Sequence, residues 1–106
     1  MGYYTTFSLL NNLSEIEMKV LQEIQPDYFE SESYIDELTD GLFNAKWYDW
    51  EEDMLNLSSR FPDTLYTLYG EGESGPDLWV AYFHNGKMQH EQAEILYGEF
   101  DPTKLK

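Results

Sequence analysis

Apolar and polar positions alternate at the start of the chain, where Tyr3, Thr5, Phe7 and Leu9 share one face of an extended segment. This predicts a first strand over Tyr3–Leu10. Asn11-Asn12 breaks the alternation, and the period then changes. Ser14 followed three residues later by Glu17 is a capping box, and Leu13, Ile16, Val20, Leu21 and Ile24 recur at helical spacing. A first helix is predicted over Ser14–Ile24, ended by Pro26.

Residues 25–45 carry no single period and support two readings. Ser33 caps a short helix through Leu38 with Gly41 at C′, or a short edge strand lies near Leu42-Phe43. Beyond them, Asp49 and Glu52 repeat the capping-box spacing. Trp50, Met54, Leu57 and Phe61 follow at i, i+4, i+7 and i+11, predicting a second helix that stops at Pro62.

Three strands come next, over Thr64–Gly70, Leu78–Phe83 and Lys87–Tyr97. Asn85-Gly86 between the last two is a two-residue type I′ turn signal, because both positions need positive φ. That turn pairs His84 with Lys87, Phe83 with Met88 and Ala81 with His90. Trp79, Ala81, Phe83 and Met88 then share the core face, with Val80, Tyr82, His84, Lys87 and Gln89 opposite. Ala93, Ile95 and Tyr97 fall out of phase with Met88, which predicts a β-bulge between His90 and Gln92.

The pattern describes one α+β domain over residues 1–106. It has an antiparallel or mixed sheet of four to five strands with two helices on one face. A ferredoxin-like arrangement is the nearest analogue if residues 40–45 supply a strand. Composition agrees with a folded chain. Nine Tyr, six Phe and three Trp in 106 residues are far more aromatic than disordered acidic chains. No apolar run approaches the ~18 residues of a membrane span, and no basic leader precedes the first strand, so a cytoplasmic protein is expected. Gly2 fits a myristoylation signal only loosely, and Tyr4 reads as core.

Charge changes the picture most. The net charge is −15, from 21 acids against six bases. Such a surface repels phosphates, which argues against binding nucleic acid or anionic membranes and for binding a basic protein surface.

Candidate chemistry is thin. There is no cysteine, hence no disulfide, thiol nucleophile or thiolate metal site. Gly70-Glu71-Gly72-Glu73-Ser74-Gly75 spells GxGxxG, but Pro76-Asp77 and a strand follow it instead of a helix N-terminus, and its glutamates repel phosphate. His84 and His90 fall on opposite faces of the hairpin unless the bulge lies before His90, so no shared metal site is expected. Glu51, Glu52 and Asp53 occupy the first turn of the second helix, where the helix dipole accounts for them. No catalytic residue, cofactor site or metal site is expected, and the chain is not expected to be an enzyme.

Eleven acids and a single base, Lys46, lie between Val20 and Ser59. Carboxylates at that density imitate the phosphate spacing of DNA and attract surfaces built for nucleic acid. Aromatics lie among them, and interfaces favour aromatics. The candidate partner-binding set is Asp27, Tyr28, Phe29, Glu30, Glu32, Tyr34, Asp36, Glu37 and Asp40. The plainer reading of the same charge is solubility.

Five segments together resemble small proteins of phages, prophages and mobile elements: Lys46-Trp47-Tyr48-Asp49-Trp50-Glu51-Glu52-Asp53-Met54, Gly70-Glu71-Gly72-Glu73, Asp77-Leu78-Trp79, Tyr82-Phe83 and Asn85-Gly86-Lys87-Met88-Gln89. Gly2-Tyr3-Tyr4-Thr5 and Glu99-Phe100-Asp101-Pro102 fit as well. The similarity covers both ends and the C-terminal half. Members often carry His where Trp50 stands, so no role passes to that side chain. The resemblance implies a stand-alone domain with no assigned reaction. It points to a phage-type protein in the host cytoplasm that binds and inhibits a host defence or nucleic-acid-handling protein, and the acidic charge adds nucleic-acid mimicry as the means. The alternative is a generic interaction module working through Trp47, Tyr48 and the Gly70–Gly75 loop. A small hydrolase or ligand-binding domain would need a pocket with a polar cluster such as Glu71, Asp77 and a histidine.

Overall fold

The structure, a computed structural model, describes residues 4–72, 77–93 and 99–105. Tyr3, the Glu73–Gly75 part of the glycine-rich segment, and Ile95 and Tyr97 lie outside the described residues. In chain order the elements are β1 (Thr5–Leu9), α1 (Glu15–Ile24), α2 (Pro26–Phe29), α3 (Glu32–Asp40), β2 (Phe43–Ala45), α4 (Trp50–Arg60), β3 (Leu65–Gly72), β4 (Leu78–His84) and β5 (Lys87–Gln92). The five strands form one sheet in the order β2-β1-β3-β4-β5, every neighbouring pair antiparallel.

The α+β class and the five-strand sheet agree with expectation, but the arrangement does not confirm a ferredoxin-like fold. That fold alternates strands and helices as βαββαβ. Here three helices separate β1 from β2, and β3, β4 and β5 follow as a meander.

Four α-helices are found among the described residues instead of two. Pro26 ends α1, as expected, but it also occupies the first position of α2, where its missing N–H is no loss. In residues 25–45 the two readings turn out to coexist. A helix with Ser31 rather than Ser33 at its N-cap position, though without a side-chain cap bond, runs to Asp40, and β2 follows it. Gly41 makes the switch at φ 78°, and the Leu42 N–H reaches back 2.8 Å to the Glu37 carbonyl.

The capping box of α1 forms as predicted, with Ser14 Oγ accepting from the Glu17 N–H and Glu17 accepting from the Ser14 N–H. The other carboxylate oxygen of Glu17 accepts from the Tyr66 hydroxyl, which ties α1 to β3. Burial, reinforced by that bond, raises the pKa of Tyr66 and keeps the hydroxyl protonated. Ile16 is exposed, contrary to the predicted stripe. The inward face of α1 is Leu21, with Met18, Val20 and Ile24 packed beside it. In α4 the second capping box does not form. Asp49 occupies the N-cap position but makes no side-chain cap bond.

The core lies between the helices and one face of the sheet. Phe7 and Leu9 of β1, Tyr66 and Leu68 of β3, and Ala81 and Phe83 of β4 meet Leu21, Ile35, Leu38, Met54 and Leu57 from the helices. Burying each large apolar side chain contributes roughly 1.5–3 kcal/mol. Asn11, predicted only as a strand breaker, also prolongs the β1–β3 ladder with its side chain. It donates to the Leu65 carbonyl at 2.7 Å and accepts from the Thr67 N–H at 3.0 Å.

The Asn85-Gly86 turn has positive φ at both positions, and the predicted pairing of His84 with Lys87 and Phe83 with Met88 holds. The Gly86 N–H donates to Ser58 Oγ, anchoring the hairpin to α4. The predicted bulge is absent among the described residues. Pairing runs without interruption from His84–Lys87 to Trp79–Gln92. Because β5 is the edge strand, its positions on the helix side are not all covered. His90 and Gln92 therefore occupy that side while remaining exposed.

Candidate functional site

Charge density concentrates where α2 and α3 pass over the β2 end of the sheet. In α3, Ile35 and Leu38 are three residues apart and fully buried, so the remaining positions turn outward. Glu32, Asp36, Glu37 and Asp40 are all exposed, as are Asp27 and Glu30 on and beside α2. Asp36 and Asp40 stand one turn apart on the same flank, a like-charge spacing that destabilises a helix slightly. A fold that keeps such a pair gains nothing from it internally.

The predicted aromatics separate. Phe29 is 0% exposed, its ring 5.1 Å from that of Phe43 and 5.0 Å from that of Trp47, so it is a core residue and offers no contact surface. Tyr28 is half-buried. Its ring meets Phe43 edge-on and its hydroxyl donates to the Lys46 carbonyl at 2.8 Å. Tyr34 is 39% exposed.

Asp27, Tyr28 and Tyr34 converge on a groove of about 350 Å³ along the β2 edge, completed by Tyr4, Asn44 and Lys46. Tyr4, read as core from the sequence, is 43% exposed, and Lys46 Nζ sits 4.8 Å above its ring. A cation already rests on an aromatic face of this groove, with a carboxylate nearby. The groove therefore has the chemistry to take a second cationic side chain, through Asp27 and the tyrosine rings. Sequence reasoning missed Tyr4, Asn44 and Lys46. Lys46 stood out as the single base of an acidic stretch, which was the one available signal of a role here.

Asp53 is not simply an acid of the first helical turn. It is 6% exposed and accepts from Trp47 Nε1 at 2.6 Å and from Gln25 Nε2 at 3.1 Å. Desolvation raises its pKa above the ordinary 3.8, the two hydrogen bonds oppose that, and the nearby Asp49 and Glu52 charges add to it. Its role is to join α1, the β2–α4 connection and α4. Trp47 is 1% exposed and belongs to the same internal network, so it is unavailable to the interaction module read from Trp47 and Tyr48; Tyr48 remains exposed.

A second groove, about 460 Å³, crosses the sheet face opposite the helices, where Thr6, Ser8, Tyr69, Leu78, Val80 and Ala93 line it. Glu71 and Glu91 border it, but Asp77 and the histidines do not. Gly70, the first glycine of the GxGxxG spelling, has a packing explanation. A Cβ there would lie 2.0 Å from the indole of Trp79, its cross-strand partner. Trp79 in turn stacks on Trp50 at 4.3 Å, with His90 beside both rings. Among the described residues, no three His, Asp or Glu side chains converge to hold a metal ion.

No protein-family model matches the chain, and neither the curated proteins nor the solved structures searched gave a match. The reading of function therefore rests on this geometry and charge.

Proposed function

We propose that the protein binds a basic surface of a partner protein through the acidic layer of α2 and α3 and the tyrosine-lined groove at the β2 edge. The observation that carries this is the set of six exposed acids on and beside α2 and α3, Asp27, Glu30, Glu32, Asp36, Glu37 and Asp40, of which Asp27 lines a groove that already seats Lys46 on Tyr4. Carboxylates contribute long-range attraction, and the rings contribute a contact that a lysine or arginine stem can cover.

The partner class this favours is a nucleic-acid-handling protein whose basic site the acidic layer occupies, so that the bound protein acts as an inhibitor. The charge density of α2 and α3 supports that finer reading. A host defence protein is the form of partner the resemblance suggests. Capture from a nuclease-treated bacterial lysate on the immobilised protein tests it. Basic nucleic-acid-binding proteins should be retained at low salt, released at high salt, and displaced by added DNA. Retention that neither salt nor DNA changes would contradict the proposal.

A further inference from the structure

The two edges of the sheet are unequal, and the β5 edge has the properties of a self-complementary surface. The Ala93 N–H donates to the Leu78 carbonyl at 2.8 Å, which fixes the phase of the β4–β5 ladder. With that phase and the observed register, Lys87, Gln89 and Glu91 direct their backbone groups toward β4. Met88, His90 and Gln92 direct theirs outward. Among the described residues no strand pairs with that outer edge. An unpaired edge of six residues is a template for another strand.

The acids that dominate the rest of the molecule are missing here. Between Leu78 and Gln92 the chain carries one acid, Glu91, and one lysine, Lys87, with His84 and His90. Lys87 and Glu91 are exposed, lie on the same face, and sit symmetrically about Gln89.

We propose that β5 pairs antiparallel with β5 of a second copy of this chain, on a two-fold axis at Gln89. In that register Lys87 faces Glu91 of the other copy, twice. Met88 faces His90, also twice, and these are the residues whose backbone groups point outward, so the register fits the hydrogen-bonding phase. Lys87 and Glu91 then form non-hydrogen-bonded pairs, the type whose Cα atoms approach to about 4.5 Å and whose side chains meet most closely. A shift of two residues along either strand breaks the charge match. Ten strands would form one sheet with both helix layers on the same side. The two β2 edges would lie at its ends, about 40 Å apart at the usual strand spacing. This keeps the acidic layers of the two copies away from each other. The inference is independent of the function proposed for those layers.

Charge reversal tests it. Sedimentation equilibrium of the full chain should show a monomer–dimer equilibrium. Lys87→Glu alone, or Glu91→Lys alone, sets like charges opposite each other twice and should weaken the dimer roughly tenfold. The double variant Lys87→Glu/Glu91→Lys restores opposite charges and should recover the wild-type constant. Circular dichroism melts of all four proteins should coincide at concentrations where each is monomeric, since both side chains are exposed. A wild-type chain that stays monomeric at every concentration would overturn the proposal. So would a dimer indifferent to either single reversal, or single reversals that the double variant fails to rescue.

Discussion

The two edges of the sheet solve opposite problems. At β2 the edge is only three residues long, and the phase of the β1 ladder leaves Asn44 as its outward-facing residue. The carbonyl of Lys46 beyond it is already occupied by the Tyr28 hydroxyl and the Tyr48 N–H. Short length and a covering tyrosine make β2 a poor strand template, while Asp27 and the tyrosine rings of its groove suit it to cationic side chains. At β5 the edge is six residues long, nearly neutral and unblocked among the described residues. Acid placement thus separates a surface suited to a foreign basic partner from one suited to a second copy.

Breaking the aromatic support of the β2 edge should have the largest effect. Phe29→Ala removes a fully buried ring between Phe43 and Trp47 and should cost about 3–5 kcal/mol. In a chain of this size that lowers the thermal midpoint by more than about 10 °C. A small loss, seen by calorimetry, would return Phe29 to the list of contact residues. On the other side of the molecule, Gly70→Ala drives a methyl into the indole of Trp79 and should cost about 1–3 kcal/mol. It should also disturb the Trp50–Trp79 stack, which near-ultraviolet circular dichroism reports.

Asp53 sharpens the comparison by separating the exposed acids proposed to bind from an acid that holds the fold. Its folded-state pKa is raised above the unfolded value of 3.8, so the folded protein retains its proton more strongly. The stability linked to that proton is present below this value and is lost as pH rises through the raised folded value. Asp53→Asn removes the titration while keeping an acceptor for Trp47. Denaturant melts should therefore show a weaker pH dependence for the variant than for the wild type, with the difference confined to the acidic range. Asp53→Ala leaves the Trp47 N–H buried without its acceptor and should cost about 1–3 kcal/mol at any pH. Equal pH dependence in wild type and Asp53→Asn would show that the carboxyl is not desolvated.

Much of this was legible in the sequence where a pattern ran long enough to be read. The α1 capping box, the Met54–Leu57 stripe and the Asn85-Gly86 turn each rest on local chemistry, and each appears. Residues 25–45 resisted because α2 is four residues long and α3 buries only Ile35 and Leu38. Hydrophobic periodicity needs a window of about 11–18 residues to show. The bulge was predicted because Ala93, Ile95 and Tyr97 fall out of phase with Met88, on the assumption that one face of β5 must be apolar. An edge strand is only partly covered, so that assumption does not bind it. The groove was half legible. Asp27, Tyr28 and Tyr34 come from one stretch of sequence, whereas Tyr4, Asn44 and Lys46 reach it only through the β1–β2 pairing. Asp53 was hidden for a similar reason, since its donors Gln25 and Trp47 belong to other elements.

The smallest effect on stability should accompany the largest on binding. Glu32, Asp36 and Glu37 are exposed, so Glu32→Gln/Asp36→Asn/Glu37→Gln should change stability by no more than about 0.5 kcal/mol per site. Salt should also act with opposite sign at the two edges. It screens attraction of cations to α2 and α3, but it screens the mutual repulsion of two copies carrying −15 each, which favours pairing through β5.

The most direct measurement is the salt dependence of binding to a fluorescent arginine-rich peptide, compared between wild type and that triple variant. The wild-type affinity should fall steadily with added salt, and the triple variant should bind more weakly with a shallower dependence. Equal affinities and equal slopes for the two proteins would contradict the claim that the acidic layer of α2 and α3 is the binding surface.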